Sequence, residues 1–368
     1  MKIGILTFHS QLNYGGVLQC WALQKVLENL GHEVVIIDRE FEHQVRSVCA
    51  IFNGWTVKIW IKFIIKLIIR RPDALRTVRY YRTVRFVHKH FHLTPYSFKK
   101  WEDAPKDLGI DLIVVGSDQV WNGIWNDLGV YLLEGAPDIP AIGYAVSLGM
   151  AKFPEQCLKR YMAASKRFSA VSVREDEARS LLATAGIMAT HVLDPVLLCE
   201  WQIKNNSKVN GLVCYFIDPD ELCDNAIKAL KAFSAVTGLR VHIYLQEYCK
   251  VIEAGTIKIH YAAGPEEFFN ALSSAEYILS DSFHALAFAA VFQRSVRIVM
   301  PSSANRRMMF SRIQEFSARY AESDLVVSSI PEALNDMLNN KIHFNKNRID
   351  EDRAASLKWL SENIKVVA

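Results

Sequence analysis

The segment KIGILTFHSQLNYGGVLQCWALQKVLENLGHEVVIID, Lys2 to Asp38, passes from strand to helix to strand. KIGILTF is a short, wholly apolar-centred run that reads as a buried strand. The segment NYGGVLQCWALQKVLENLG follows, with Leu23, Val26, Leu27 and Leu30 at i, i+3, i+4 and i+7, the period of one helix face. Gly31 supplies a helix stop, and HEVVIID is a second buried strand. A strand, a glycine-bearing turn, a helix and a second strand make a βαβ unit, the opening of a doubly wound parallel sheet.

Residues 41–100 interrupt this alternation, and the part from about 50 to 95 reads as a helical insertion. It resumes with DLIVVGSDQVW, IPAIGYAVSLG, RFSAVSVRE, the helix REDEARSLLATAG and HVLDPVLL. A polar stretch, WQIKNNSKVN at Trp201–Asn210, then marks a domain boundary. A second series follows: strands GLVCYFI, LRVHIYL, YILS and SVRIVM, with helices over PDELCDNAIKALKAFSAVTG and GPEEFFNALSSAE. The expected organisation is a first Rossmann-like domain over 1–205, a second over 206–345, and a C-terminal helix over 346–368 that returns to the first domain. Two such domains place a ligand in the cleft between them, faced by the carboxyl ends of their strands.

Bulk properties narrow the classes. The chain has 368 residues, 51% hydrophobic and 22% charged, an ordinary globular balance. A net charge of +4 is too small to argue for nucleic acid. Seven cysteines, at 20, 49, 157, 199, 214, 223 and 249, contain no CxxC pair, which argues against a disulfide framework or zinc site and for a reducing compartment. With no signal-peptide pattern in MKIGILTFHS and no long uninterrupted apolar run, the expected location is cytoplasmic.

One segment bears on membranes. WTVKIWIKFIIKLIIRR, Trp55 to Arg71, is strongly apolar with Lys58, Lys62, Lys66 and Arg70 at every fourth position. On a helix this draws a basic stripe beside a wide apolar face. Packing on its own domain with snorkelling lysines is the favoured expectation. Peripheral contact of residues 55–71 with the inner face of an anionic membrane is the alternative. Arg76, Arg79, Arg82, Arg85 and Lys89 suit a second helix with a basic face.

Four strand ends carry polar residues suited to chemistry. In TFHSQLNYGGVLQ, Asn13, Tyr14 and Gly15 precede a helix, whose free N–H groups suit an anion or a sugar hydroxyl, or whose start Asn13 simply caps. In VVGSDQVWN, Ser117, Asp118, Gln119 and Trp121 combine a carboxylate, an amide and an indole, a set that suits a carbohydrate, or else form a strand-to-helix turn with Asp118 as cap and Trp121 as core. In VSVREDEA, Arg174 ends a strand and suits a carboxylate or phosphate, or else pairs with Asp176 or Glu177. In SDSFHALAFAA, Asp281 or Ser282 caps a helix and sets His284 in its first turn, at the positive end of the dipole. Arg306, Arg307 and Arg312 follow in NRRMMFSRIQEF. HKHFH at His88–His92 lacks partners at ligand spacing and reads as surface or core, while His9 is placed to line the cleft. The NYGG turn is not GxGxxG, and no Walker A, GxSxG or HExxH motif occurs.

Taken in order, NYGGVLQCWALQ, VVGSDQVWN, VSVREDEA, LDPVLL, SDSFHALAFA and SRIQEF resemble the polysaccharide pyruvyl transferase family, over about residues 3 to 320. The resemblance implies a GT-B-like pair of Rossmann-type domains, with the acceptor on the side of the first and the donor on that of the second. It implies transfer of pyruvate from phosphoenolpyruvate to a sugar of a polysaccharide or its precursor, giving a cyclic ketal on two hydroxyls, with no metal or organic cofactor. Arg174 and His284 match the family's donor-site arginine and histidine. On that basis Ser282, Arg306 and Arg312 join the donor side, with Arg174 and Arg312 clamping the donor, His284 as acid or phosphate ligand, and Asp118 as base or orienting group. Asn13, Tyr14, Gly15, Ser117, Asp118, Gln119 and Trp121 are the expected acceptor contacts, for a glycan or a lipid-linked oligosaccharide. A glycosyltransferase using a nucleotide sugar, or a non-catalytic membrane-surface binding protein, are the other classes open from sequence.

Overall fold

A computed structural model of the chain describes residues 1–40, 51–124, 128–150, 152–202, 211–247, 255–307 and 310–367. Strands β1 (Lys2–Leu6), β2 (Glu33–Arg39), β3 (Leu93–Phe98), β4 (Leu112–Val115), β5 (Ala141–Val146), β6 (Ala170–Val173) and β7 (Ala189–His191) form one sheet in the order β3-β2-β1-β4-β5-β6-β7. Strands β8 (Leu212–Phe216), β9 (Val241–Leu245), β10 (Ile257–Ile259), β11 (Tyr277–Ser280), β12 (Ser295–Val299) and β13 (Val326–Val327) form a second, in the order β10-β9-β8-β11-β12-β13. All pairings are parallel. The central strands read as unbroken apolar runs because helices cover both their faces, and β4 and β8 are buried along their whole length.

The longer helices are α1 (Tyr14–Asn29), α2 (Val57–Ile68), α3 (Pro72–His90), α4 (Glu155–Ala164), α5 (Asp176–Thr184), α6 (Asp224–Thr237), α7 (Pro265–Ser274), α8 (Phe283–Val291), α9 (Ser311–Tyr320), α10 (Ile330–Asn339) and α11 (Lys346–Val367). In each sheet the strand order reverses direction beside the first strand, between β1 and β4 and between β8 and β11. Crevices open at the carboxyl ends of such switch points. One continuous core joins the two units, bringing Tyr14 and Val17 of α1 together with Phe268 of α7 and Phe283 and Phe288 of α8.

The insertion between β2 and β3 fastens the units together. Arg79 is buried; its guanidinium donates to the carbonyls of Leu245 (2.8 Å), Gln246 (2.9 Å) and Leu12 (2.6 Å), and lies 4.4 Å over the Tyr14 ring. Arg82 donates to Ala262 O at 3.0 Å. Of the basic face expected on this helix, Arg79 and Arg82 are thus spent on backbone carbonyls, mostly of the second unit, while Arg76 and Arg85 stay exposed. α11 begins at Lys346, where the sequence places the C-terminal helix, and runs back onto the first unit. There Ser356 Oγ accepts from Leu193 N at 2.9 Å and Arg353 donates to Leu197 O at 2.7 Å.

α2 departs from the favoured expectation. It holds no buried residue. Only Phe63 and Leu67 are half-buried, and Val57 and Ile68 are 76% and 74% exposed. An amphipathic period specifies that a helix has an apolar face but not what covers it. The inferred boundary at Trp201–Asn210 lies, from residue 203 on, outside the described residues.

Candidate active site

Three loops at the carboxyl ends of β4, β6 and β7 close around one guanidinium. Arg174 follows β6 directly, and its side chain is 1% exposed. Each of its three nitrogens donates to a different carboxylate: Nη2 to Asp118 Oδ1 (2.8 Å), Nη1 to Asp194 Oδ2 (2.7 Å) and Nε to Glu175 Oε1 (3.2 Å). The guanidinium carbon sits 4.5 Å over the Phe283 ring of the second unit. Burial works against the Arg174 charge, but the carboxylates of Asp118, Glu175 and Asp194 outweigh it and raise the pKa.

The partners are fixed in turn. Asp118 stands in the left-handed region, at φ 71°, which turns its carboxylate inward from the end of β4. Burial pushes its pKa up, while Arg174, His284 and Arg312 pull it down to about 2. Asp194 Oδ1 caps a short helix by accepting from Val196 N at 3.0 Å, and Oδ2 also accepts from Ser117 Oγ at 3.1 Å. Glu175 accepts from Ser147 Oγ at 2.5 Å, and burial raises its pKa against the pull of Arg174.

The second unit contributes His284 and Arg312. His284 lies in the first turn of α8, immediately after the switch-point strand β11, and is 6% exposed. Its Nε2 has no hydrogen-bond partner and lies 3.9 Å from Asp194 Oδ2. Burial lowers its pKa, against the raising effect of Asp118 and Asp194. Gly15 permits this approach between units: a Cβ there would stand 2.3 Å from His284 Nδ1. Arg312, on α9, is partly buried beside Gln119, whose amide oxygen accepts from its guanidinium. Its Nε is buried without a partner. Burial, and then Arg174, lower its pKa to about 10.

Several sequence assignments change. Trp121 is fully buried; its indole donates to Tyr131 O at 3.1 Å and packs on Tyr161 and Phe168, so it is a core residue and offers no face to a sugar. Tyr14 is likewise buried, stacked on Phe268 at 4.6 Å and donating to Ala263 O, which makes it part of the joint between units. Asn13 is a cap, its Oδ1 accepting from Gly15 N (3.0 Å) and Gly16 N (3.4 Å), so those two N–H groups are not free for an anion. Ser282 occupies the cap position of α8 without a side-chain cap bond. Asp281 does not cap either; it accepts from Ile217 N, Asp218 N and Arg306 Nη1, the last at 2.7 Å. Arg306 is therefore engaged, and Arg174 pairs with Asp118, Asp194 and Glu175 rather than with Asp176 or Glu177. His9 is buried against Asp38 at 3.1 Å and lines no cleft. Asp194 and Glu175 join the site in addition to the residues expected from sequence; their positions at the end of β7 and next to Arg174 are the signal that points to them.

Space is distributed unevenly around this cluster. Two crevices touching Arg174 and Arg312 each hold only about 10 Å³. A cavity of about 580 Å³ lies instead between the units, lined by Leu12, Pro72, Arg76, Arg79, Gln246 and Tyr261 among others. Its lining residue Leu12 lies in the loop that leads into α1, three residues before the Gly15 that meets His284.

A family model described as polysaccharide pyruvyl transferase matches residues 13–303. The chain belongs to the polysaccharide pyruvyl transferase family. The match spans Gly15, Asp118, Arg174, Asp194 and His284 and ends before Arg306 and Arg312. No curated protein matches the chain in sequence. Among solved structures, this family member is similar to a Methanocaldococcus jannaschii UDP-GlcNAc 2-epimerase in complex with UDP-GlcNAc and UDP. That match has a TM-score of 0.53 and 14% identity and covers 100% of both chains. It is also similar to an S. aureus MnaA–UDP co-structure, with a TM-score of 0.50, 10% identity, and coverage of 96% of this chain and 91% of that one. At such identity these likenesses show the fold: a GT-B-like α/β architecture of two Rossmann-type units, with a helical insertion in the first.

Proposed function

We propose that the chain transfers pyruvate from phosphoenolpyruvate to two hydroxyls of one sugar, releasing phosphate and leaving a cyclic ketal. One observation supports this beyond family membership. His284 Nε2 and Arg312 Nε are buried polar atoms without partners, beside a cluster whose other charges are already paired. A buried donor left unpaired is costly, and an anion carrying a phosphate and a carboxylate would satisfy both.

In this reading Arg174 is a positioning residue. It fixes Asp118 and Asp194, while Arg312 holds the donor's negative charge. His284 Nε2 gives its proton to the methylene carbon of phosphoenolpyruvate, which becomes a methyl group. Positive charge then develops on the adjacent carbon. One sugar hydroxyl bonds to that carbon, the carbon–oxygen bond to phosphate breaks, and the second hydroxyl closes the ring. The two hydroxyl protons account for the new methyl hydrogen and the proton carried off on phosphate. Asp118, held near 2, is a weak base, so its role is to accept a hydrogen bond from the attacking hydroxyl and orient it. The sugar would reach the cluster from the 580 Å³ cavity.

Mass spectrometry of candidate glycans incubated with the protein and phosphoenolpyruvate tests this. A pyruvate ketal formed with one phosphate released per ketal is expected. Consumption of a nucleotide sugar across the same panel, with no phosphate from phosphoenolpyruvate, would overturn the proposal.

A further inference from the structure

We infer that α2 is a docking helix that lies in the plane of an anionic bilayer surface. Val57, Ile61, Ile64, Ile65 and Ile68 fall at i, i+4, i+7, i+8 and i+11, which is a single helix face. They are 76%, 54%, 51%, 52% and 74% exposed. Phe63 and Leu67, on the other side, are the half-buried residues. A contiguous apolar strip of this kind marks an interaction surface.

Charge decides the occupant. Lys58, Lys62 and Lys66 run along one flank of the strip, adjoining it. That flank lets ammonium groups reach lipid phosphates while the isoleucines enter the acyl boundary. Within Val57–Ile68 there is no acidic residue. A second copy meeting this face would set lysines against lysines, whereas an anionic bilayer complements them. Lys66 pairs with Asp73 at 2.6 Å on the exposed surface, where water and salt leave it available to exchange partners. Twelve residues span about 18 Å, too short to cross about 30 Å of hydrocarbon. Among the described residues no helix is long and apolar enough to span a membrane. Trp60, 39% exposed and stacked on Phe52 at 5.0 Å, suits the interfacial level.

Docking has a consequence for the cleft. α3 starts at Pro72, directly after α2, and Pro72, Asp73 and Arg76 line the 580 Å³ cavity. A helix lying on the bilayer would hold this cavity at its surface.

The test is co-sedimentation of the full chain with vesicles of phosphatidylglycerol and phosphatidylcholine in equal parts, and with phosphatidylcholine alone. Wild-type protein should sediment with the anionic vesicles and several-fold less with the neutral ones, and the blue shift of its tryptophan emission should be lost on Trp60→Phe. Replacing Lys58, Lys62 and Lys66 by Gln should weaken anionic binding roughly a hundredfold, at about fivefold per cation. A triple Ile61→Glu, Ile64→Glu, Ile68→Glu variant should abolish it. Because these side chains are exposed, thermal unfolding of both variants should match wild type. The inference fails if wild-type protein stays in solution with anionic vesicles, or if either variant binds as wild type does. It fails equally if light scattering finds a concentration-dependent dimer that the Ile61→Glu change disrupts, since a second copy would then own the face.

Discussion

Gly15 of the first unit lies against His284 of the second so closely that a single methyl group would stand 2.3 Å from Nδ1. The glycine of the NYGG turn is thus needed for a contact between units. Gly15→Ala should move the imidazole, destabilise the protein by about 1–3 kcal/mol through overpacking, and lower turnover at least tenfold. Thermal unfolding and steady-state kinetics measure the two effects. A variant with wild-type values for both would show that the contact sets neither.

Removal of the Arg174 guanidinium leaves Asp118, Asp194 and Glu175 buried around an uncompensated gap. Arg174→Ala should cost about 3–5 kcal/mol, and Arg174→Lys less. Asp118 adds a pH signature. Its folded pKa, about 2, is below its ordinary 3.8, so its contribution is present above pH 3.8 and is lost as pH falls toward 2. Urea unfolding across that window should show this loss in wild type. In Arg174→Lys the loss should move to higher pH if the pairing is weaker.

His284 titrates with the opposite consequence for the empty and the loaded site. Burial lowers its folded pKa below the ordinary 6.5, so as pH falls through 6.5 the unfolded chain takes up a proton before the folded one. Stability should therefore decline on the acid side, and His284→Gln should flatten that slope. A bound dianion favours the protonated ring. Phosphoenolpyruvate binding should then take up protons near pH 7, read as a buffer-dependent enthalpy, and His284→Gln should abolish that uptake.

Trp121 is a core residue and not an acceptor contact. Trp121→Ala should behave as a core truncation, costing about 3–5 kcal/mol, while the acceptor KM at a permissive temperature stays unchanged. A raised KM with full stability would return the indole to the sugar site.

The doubly wound plan is legible because parallel strands buried on both faces leave continuous apolar runs, and β1, β2, β4, β5 and β6 carry them. β3, β10 and β13 are not legible: LTPYSF carries a proline and no strict alternation, and IKI and VV are too short to hold a period. Strand ends point to Asp118, Arg174 and His284 because the crevice of such a sheet lies there. Trp121 misleads because an indole after a polar turn looks the same whether it faces sugar or core; the left-handed backbone at Asp118 sets the direction of the loop. Asp194 hides behind its capping role, since its second oxygen finds Arg174 only through the pairing of β6 with β7. The α2 pattern is complete in sequence, but that its apolar strip stays exposed is a tertiary fact.

Whether an anionic donor sits on His284 and Arg312 is measured by calorimetric titration of phosphoenolpyruvate into wild-type protein and into His284→Gln and Arg312→Ala, with UDP as the competing ligand. Wild type should bind phosphoenolpyruvate without displacement by UDP, and each variant about tenfold or more weakly through loss of a charge-assisted hydrogen bond. Undiminished binding in both variants, or UDP binding that excludes phosphoenolpyruvate, would contradict that placement.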